Sequence, residues 1–305
     1  LTRIHGAFVS DQEVHRVVNH LRKQGKPAYL DGILAVLRDD TLDPAYRALM
    51  LGLPGQSELA ASLAEKGITP DPMAIWTAVE TLRQALAEHA QDTLPRLFAQ
   101  SRVDAPYAPD AEQSGKRALA GAVLALISRL DGGAEAARQY ATADNMTLQL
   151  SALTCLLKTG KGEAELGAFY DQWQHDRLVI DKWFSLQVMM AQPGQTASVT
   201  KALTQHRDFN WKNPNRFRAT LGALAGNHAG FHAADGSGYA LLADWLITLD
   251  PVNPQTTARM CSAFQTWKRY DAGRQGLVRA QLDRIMAQPG LSRDTSEMVS
   301  RILGA

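Results

Sequence analysis

Few residues in this chain have the type and spacing to do chemistry. His228 and His232 stand four apart, and two imidazoles one helical turn apart can share a metal ion. Peptide hydrolysis by zinc needs, in addition, a glutamate base directly after the first histidine, and no His-Glu dipeptide occurs in the sequence. Ala229 fills that position, and Asn227 and Gly230 are weak helix formers. The pair therefore reads as two loop histidines, and no metal site is expected. Gly236-Ser237-Gly238 after Asp235 has the look of a turn opening a helix and lacks the G-x-S-x-G pattern of a serine nucleophile. No glycine-rich loop of the G-x-x-x-x-G-K-[ST] kind is present, so nucleotide hydrolysis has no support. Lys268-Arg269-Tyr270-Asp271 is basic and aromatic. It reads equally as a ligand contact and as an exposed helix end whose cations offset the dipole.

The elements that must carry these residues are helices. Asp43-Pro44, Asp71-Pro72, Asn213-Pro214 and Asn253-Pro254 each set a capping side chain before a proline. The side-chain oxygen takes an orphan N–H, and proline at the first helical position loses no intrahelical bond. Gly67, Gly160, Gly194 and Gly290 are the matching stops. Between them lie runs with apolar gaps of three and four: Met73, Ile75, Trp76, Val79, Leu82 and Leu86; Leu178, Ile180, Trp183, Phe184, Leu186 and Met189; Leu277, Val278, Leu282, Ile285 and Met286. No alternating strand is evident after residue 28. Short antiparallel helix pairs in series predict an all-α superhelical solenoid of the HEAT or armadillo kind, with divergent repeats. An irregular globular helical domain is the alternative.

The first 27 residues differ. Arg3 to Val9 reads as a short strand, and Ser10 with Glu13 forms a capping box that opens a helix faced by Val14, Val17, Val18 and Leu21. One strand and one helix cannot cover their own apolar faces. Two domains are thus expected, a strand-helix segment over 1–32 and a helical domain over 33–305. The chain opens on Leu1 rather than Met, as a trimmed sequence would.

Composition closes off several functions. Lys and Arg total 32 against 31 Asp and Glu, a net charge of +1, which gives no pull toward nucleic acid or anionic membrane. No apolar run approaches the ~18 residues of a spanning helix. Cys155 and Cys261 are the sole cysteines. They make neither a disulfide framework nor a zinc cluster, and they fit a cytoplasmic, reducing location.

Several stretches occurring in order carry a family resemblance: Asp144-Asn145-Met146-Thr147, Ile180-Asp181-Lys182-Trp183, Asn213-Pro214-Asn215-Arg216-Phe217-Arg218, the run from Phe231 to Tyr239, Asn253-Pro254-Gln255 and Lys268-Arg269-Tyr270-Asp271. From about residue 33 onward the chain resembles the C-terminal helical domain of bacterial aminopeptidase N, a gluzincin zinc aminopeptidase. The resemblance implies a cap that closes over an active-site chamber and helps admit and position short peptides. It implies that the catalytic domain is the partner and that the parent's zinc is bound there, not in this chain, which is not catalytic alone. It also implies that Arg218, Gln255 and Arg259 face the chamber and bind substrate. Independently of the family, a guanidinium fork suits a carboxylate, and Gln255 and Arg259 share a helix face at i, i+4.

Arg3-Ile4-His5-Gly6-Ala7-Phe8-Val9-Ser10-Asp11-Gln12-Glu13-Val14 is similar instead to the end of the motor domain of an FtsK-type DNA translocase. The chain reads as a fusion of two unrelated pieces, natural or made. Two other functions stay open, a helical-repeat scaffold binding proteins on a concave surface and a fragment associated with DNA translocation. The balanced charge opposes the latter.

Overall fold

A computed structural model describes residues 28–304. The expected strand and helix over residues 1–27 lie outside the described residues. Those described are helical, with no strand among them. All four capped prolines open helices. Asp43 accepts the amides of Ala45 and Tyr46, Asp71 those of Met73 and Ala74, Asn213 that of Asn215 and Asn253 that of Thr256. Each removes one or two unsatisfied donors from a helix start.

Among the stops, Gly67, Gly160 and Gly290 take the left-handed conformation expected of them. Gly194 does not. It sits in a one-turn 3₁₀ helix, Pro193–Gln195, after the preceding helix has ended with Ala191 in extended geometry. Proline there redirects the chain with ordinary backbone angles, so no left-handed residue is required.

The chain forms two compact units. The first holds residues 28–55 and 77–168 of the described chain. Its core gathers Leu30, Ile33, Leu34 and Leu37 of the helix Ala28–Arg38 with Leu94 and Leu97, with Leu119, Val123 and Leu124 of Ala111–Asp131, and with Ala152 and Leu156 of Met146–Lys158. Leu30 and Ile33, on either side of residue 32, belong to one helix and one core.

The second unit holds residues 56–76 and 169–304 of the described chain. Of the amphipathic run from Leu178, Ile180, Trp183 and Phe184 are buried in the helix Arg177–Met190, while Leu178 and Met189 are exposed. Leu242, Leu246 and Leu249 of Ser237–Leu249 and Val278, Leu282 and Ile285 of Ala272–Met286 are also fully or almost fully buried. The rings of Phe231, Tyr239 and Phe264 pack on one another with centroids 5.2 to 6.3 Å apart. Asp250 is 3% exposed at the end of Ser237–Leu249. It takes the Ser292 amide at 2.8 Å, the Ser292 hydroxyl at 2.6 Å and the Thr295 hydroxyl at 2.5 Å. A carboxylate at the start of the helix Arg293–Leu303 is favoured by the dipole as well as by these donors.

Candidate functional site

Apart from Asp144-Asn145-Met146-Thr147, which caps the helix Met146–Lys158 in the first unit, the motifs that stand out in the sequence fall in the second unit, where they separate into residues that build the scaffold and residues that reach solvent. Arg216 is 5% exposed. Its Nε donates to Asp181 Oδ1 at 2.5 Å, a further nitrogen donates to the Asp208 carbonyl, and its guanidinium carbon lies 4.6 Å from the Phe184 ring centre. The Ile180-Asp181-Lys182-Trp183 and Asn-Pro-Asn-Arg stretches are thus two halves of one buried ion pair. Arg218, two residues on, is exposed. Its Nε donates to the Pro214 carbonyl at 3.2 Å and an Nη to Asn215 Oδ1 at 2.6 Å. The second asparagine of the motif therefore steadies the second arginine. Arg218 also opens a π-helical turn, Arg218–Gly222, a departure from α geometry that recurs at functional sites.

Gln255 and Arg259 lie on the helix Pro254–Cys261 and are exposed, whereas Thr257, Ala258 and Cys261 face inward. No ion pair among the described residues engages Arg218 or Arg259. Gly222 brings the two segments together: a Cβ there would stand 3.7 Å from Arg218 Cβ and 3.8 Å from Met260 Cε. The residue after Arg259 therefore packs over the same backbone as the stem of Arg218.

Of the two histidines only His228 is helical; His232 lies in the turn that follows, and neither is in an open loop. His228 opens the short helix His228–Phe231, capped by Asn227, and His232 ends it. Both are buried. His228 Nε2 lies 3.0 Å from the Tyr270 hydroxyl and His232 Nδ1 lies 2.8 Å from the Tyr239 hydroxyl. Their ring centres are 4.9 Å apart. Burial holds His228 down at about 4. Burial, then the neighbouring His228 and Arg274, hold His232 down at about 3. Both are neutral at neutral pH, each with one ring nitrogen on a tyrosine, and no group of three or more His, Cys, Asp or Glu among the described residues is placed to hold a metal.

Lys268-Arg269-Tyr270-Asp271 is in part a structural joint. Tyr270 is 3% exposed, and Asp271 caps the helix Ala272–Met286 and pairs with Arg274 at 2.6 Å. Arg274 in turn donates to the His232 carbonyl at 2.7 Å. Asn227 donates to the carbonyls of Val188 and Ala191, each at 3.0 Å, which satisfies the end of Arg177–Met190.

Gly230 shows how closely this region is packed. A Cβ there would stand 2.1 Å from Thr196 Oγ1 and 2.5 Å from Thr196 Cβ. Neither atom is the end of a flexible chain, so Gly230→Ala is expected to cost about 2–3 kcal/mol through overpacking. Gly167→Ala, in open space on a helix, is the control and should be neutral or stabilising. Urea midpoints for the two variants check this, and equal midpoints would refute the packing argument.

An all-helical module with two solvent-facing arginines set on a rigid scaffold is the class that fold and site define. The chain belongs to the family described as "Domain of unknown function (DUF3458_C) ARM repeats", whose model matches residues 7–304. It is 37% identical over 286 residues to an aminopeptidase N of Caulobacter vibrioides, a match covering 92% of this chain and 33% of the relative. This chain corresponds to the C-terminal region of such proteins and spans about a third of their length. A crystal structure of Legionella pneumophila aminopeptidase A in complex with aspartic acid superposes with a TM-score of 0.83 at 26% identity, over 96% of this chain and 36% of that one. A short stretch of 32 residues is 66% identical to DNA translocase FtsK 2 of Ralstonia nicotianae, 10% of this chain and 4% of the relative.

Proposed function

We propose that this chain is the cap of a zinc aminopeptidase, closing the chamber of a catalytic domain that supplies the metal chemistry, and that Arg218, Gln255 and Arg259 receive the peptide. The observation that carries the reading is the contrast within one motif. Arg216 is buried on Asp181, while Arg218 and Arg259 reach solvent with no carboxylate partner among the described residues. Holding two guanidinium groups over one packed patch without a counter-ion places positive charge where a peptide carboxylate can take it by charge-assisted hydrogen bonds. Gln255, one turn before Arg259, adds an amide that can donate to or accept from a peptide bond. By itself the cap presents one wall only, so it hydrolyses nothing and holds peptides weakly. Two buried free cysteines suit work in a reducing cytoplasm.

The test is made in the full-length aminopeptidase that bears this domain. Arg218→Ala and Arg259→Ala should each raise KM for a short peptide about tenfold, the size of one lost charge-assisted bond, with kcat little changed. An amino-acyl anilide, which has no carboxylate, should be cleaved as before. Unchanged peptide kinetics in both variants, or an equal loss on peptide and anilide, would overturn the proposal.

A further inference from the structure

In the first unit a single half-buried carboxylate is ringed by three cations. Glu80 Oε1 accepts from Arg83 Nη1 at 2.7 Å and lies 3.5 Å from Lys158 Nζ, and Oε2 accepts from Arg129. The groups come from three helices. Glu80 and Arg83 lie one turn apart on Pro72–Ala90, Arg129 lies in the last turn of Ala111–Asp131, and Lys158 closes Met146–Lys158. The charges acting on Glu80 are these three cations, and those acting on Lys158 are Glu80 and the two arginines. The cluster therefore carries two net positive charges. The two helix C-termini offset roughly half a charge each, which leaves about one uncompensated.

The electrostatics agree with that balance. Burial works against the Glu80 carboxylate, yet the Arg129 hydrogen bond and the charges of Lys158, Arg129 and Arg83 outweigh it and hold Glu80 at about 2. Burial pushes the Lys158 ammonium below the ordinary lysine range; Glu80 opposes this, and Arg83 and Arg129 add to it. The ammonium thus sits among cations that one carboxylate does not neutralise. The groups are also reachable. The side chains of Arg83, Arg129 and Lys158 are 35%, 19% and 42% exposed. Each arginine places one nitrogen on Glu80 and leaves the rest of its fork for a second acceptor.

We infer that Arg83, Arg129 and Lys158 form a binding site for a small oxyanion of the phosphate class, with Glu80 as the fixed spacer that gathers them. A phosphate group, which carries at least one negative charge near neutral pH, covers the excess of about one, and three terminal oxygens suit two guanidinium edges and one ammonium better than the two oxygens of a carboxylate do. The site lies in a different unit from Arg218 and Arg259 and stands independently of the peptide-binding reading.

The test uses the whole chain at constant ionic strength. Inorganic phosphate should raise the melting temperature more than chloride does, because binding to the folded state alone stabilises it. Phosphate should also protect Lys158 from acylation by an amine-reactive ester, read by peptide mass spectrometry. In Arg83→Gln and Lys158→Gln, which leave Glu80 paired with Arg129, phosphate affinity by calorimetry should fall about tenfold. A glycerol phosphate arm distinguishes sources. Binding equal to that of phosphate assigns the site to phosphate esters, and binding of inorganic phosphate alone assigns it to the free ion. Equal effects of phosphate and chloride on the unaltered chain, or an undiminished response in both variants, would overturn the inference.

Discussion

Replacing Arg216 by alanine is expected to destabilise the second unit by about 3 kcal/mol. The residue is 5% exposed, and its side chain holds the Asp181 carboxylate at 2.5 Å while also donating to the Asp208 carbonyl and covering the Phe184 ring. Truncation leaves Asp181 without its counter-ion and opens a gap beside Phe184. Breaking a buried pair from one side costs about 3–5 kcal/mol, because the abandoned charge stays out of water. Asp181, at 17% exposed, retains some solvent, which puts the loss at the lower end. Arg216→Lys keeps the charge but cannot reach the carboxylate and the carbonyl with one planar fork, so it should recover only part of the loss. Arg218→Ala, two residues away and exposed, should shift stability by less than about 0.5 kcal/mol. Urea unfolding followed by Trp fluorescence measures all three. A similar shift for Arg216→Ala and Arg218→Ala would mean that the division of the motif into scaffold and solvent-facing arginine is mistaken.

That division was within reach of the sequence. Arg216 and Thr220 stand one helical turn apart and share a face with Phe217, Leu221 and Leu224, all buried, whereas Arg218 projects elsewhere. The helical period alone separates the two arginines. Helix starts were legible for a similar reason, since a cap and the proline after it act within three residues. Gly194 misled because a glycine after a helix signals a left-handed stop only when the chain needs one, and Pro193 already turns it. The histidines were less legible. Tyr270 lies 42 residues from His228, and no local pattern links them. Tyr239 lies seven from His232, inside the same motif, yet a seven-residue gap across a turn has no periodic signature. Tyr270 itself sits in a basic stretch that resembles an exposed helix end, and only the fold shows it turned inward. Local rules gave the elements and their faces. Partners recruited across the chain came from packing.

The buried histidines set the second large effect, a loss of stability on mild acidification. His228 is held at about 4 and His232 at about 3, against about 6.5 in the unfolded chain. Both folded values are lowered, so the unfolded state binds protons first. The stabilisation is fully present above about pH 6.5 and is lost as pH falls from there toward 4 and then 3. With two sites the slope approaches about 2.7 kcal/mol per pH unit at its steepest, and the total reaches several kcal/mol. Unfolded carboxylates titrate near 4. Glu80, held at about 2, adds its own loss only below that point, so the interval from pH 6.5 to 5 belongs to histidine. His206 is also lowered, chiefly by burial, and contributes in the same direction. A double variant, His228→Gln with His232→Gln, separates the shares. It is less stable at pH 7.5, because Tyr239 and Tyr270 lose well-placed partners, but its stability should fall much less between pH 6.5 and 5. The slope is the decisive reading, since general damage to packing lowers the whole curve without flattening it. Urea midpoints at half-unit pH steps measure it. A double variant whose slope equals that of the unaltered chain would show that these imidazoles titrate alike in the folded and unfolded states, and that their burial against Tyr239 and Tyr270 does not hold in solution.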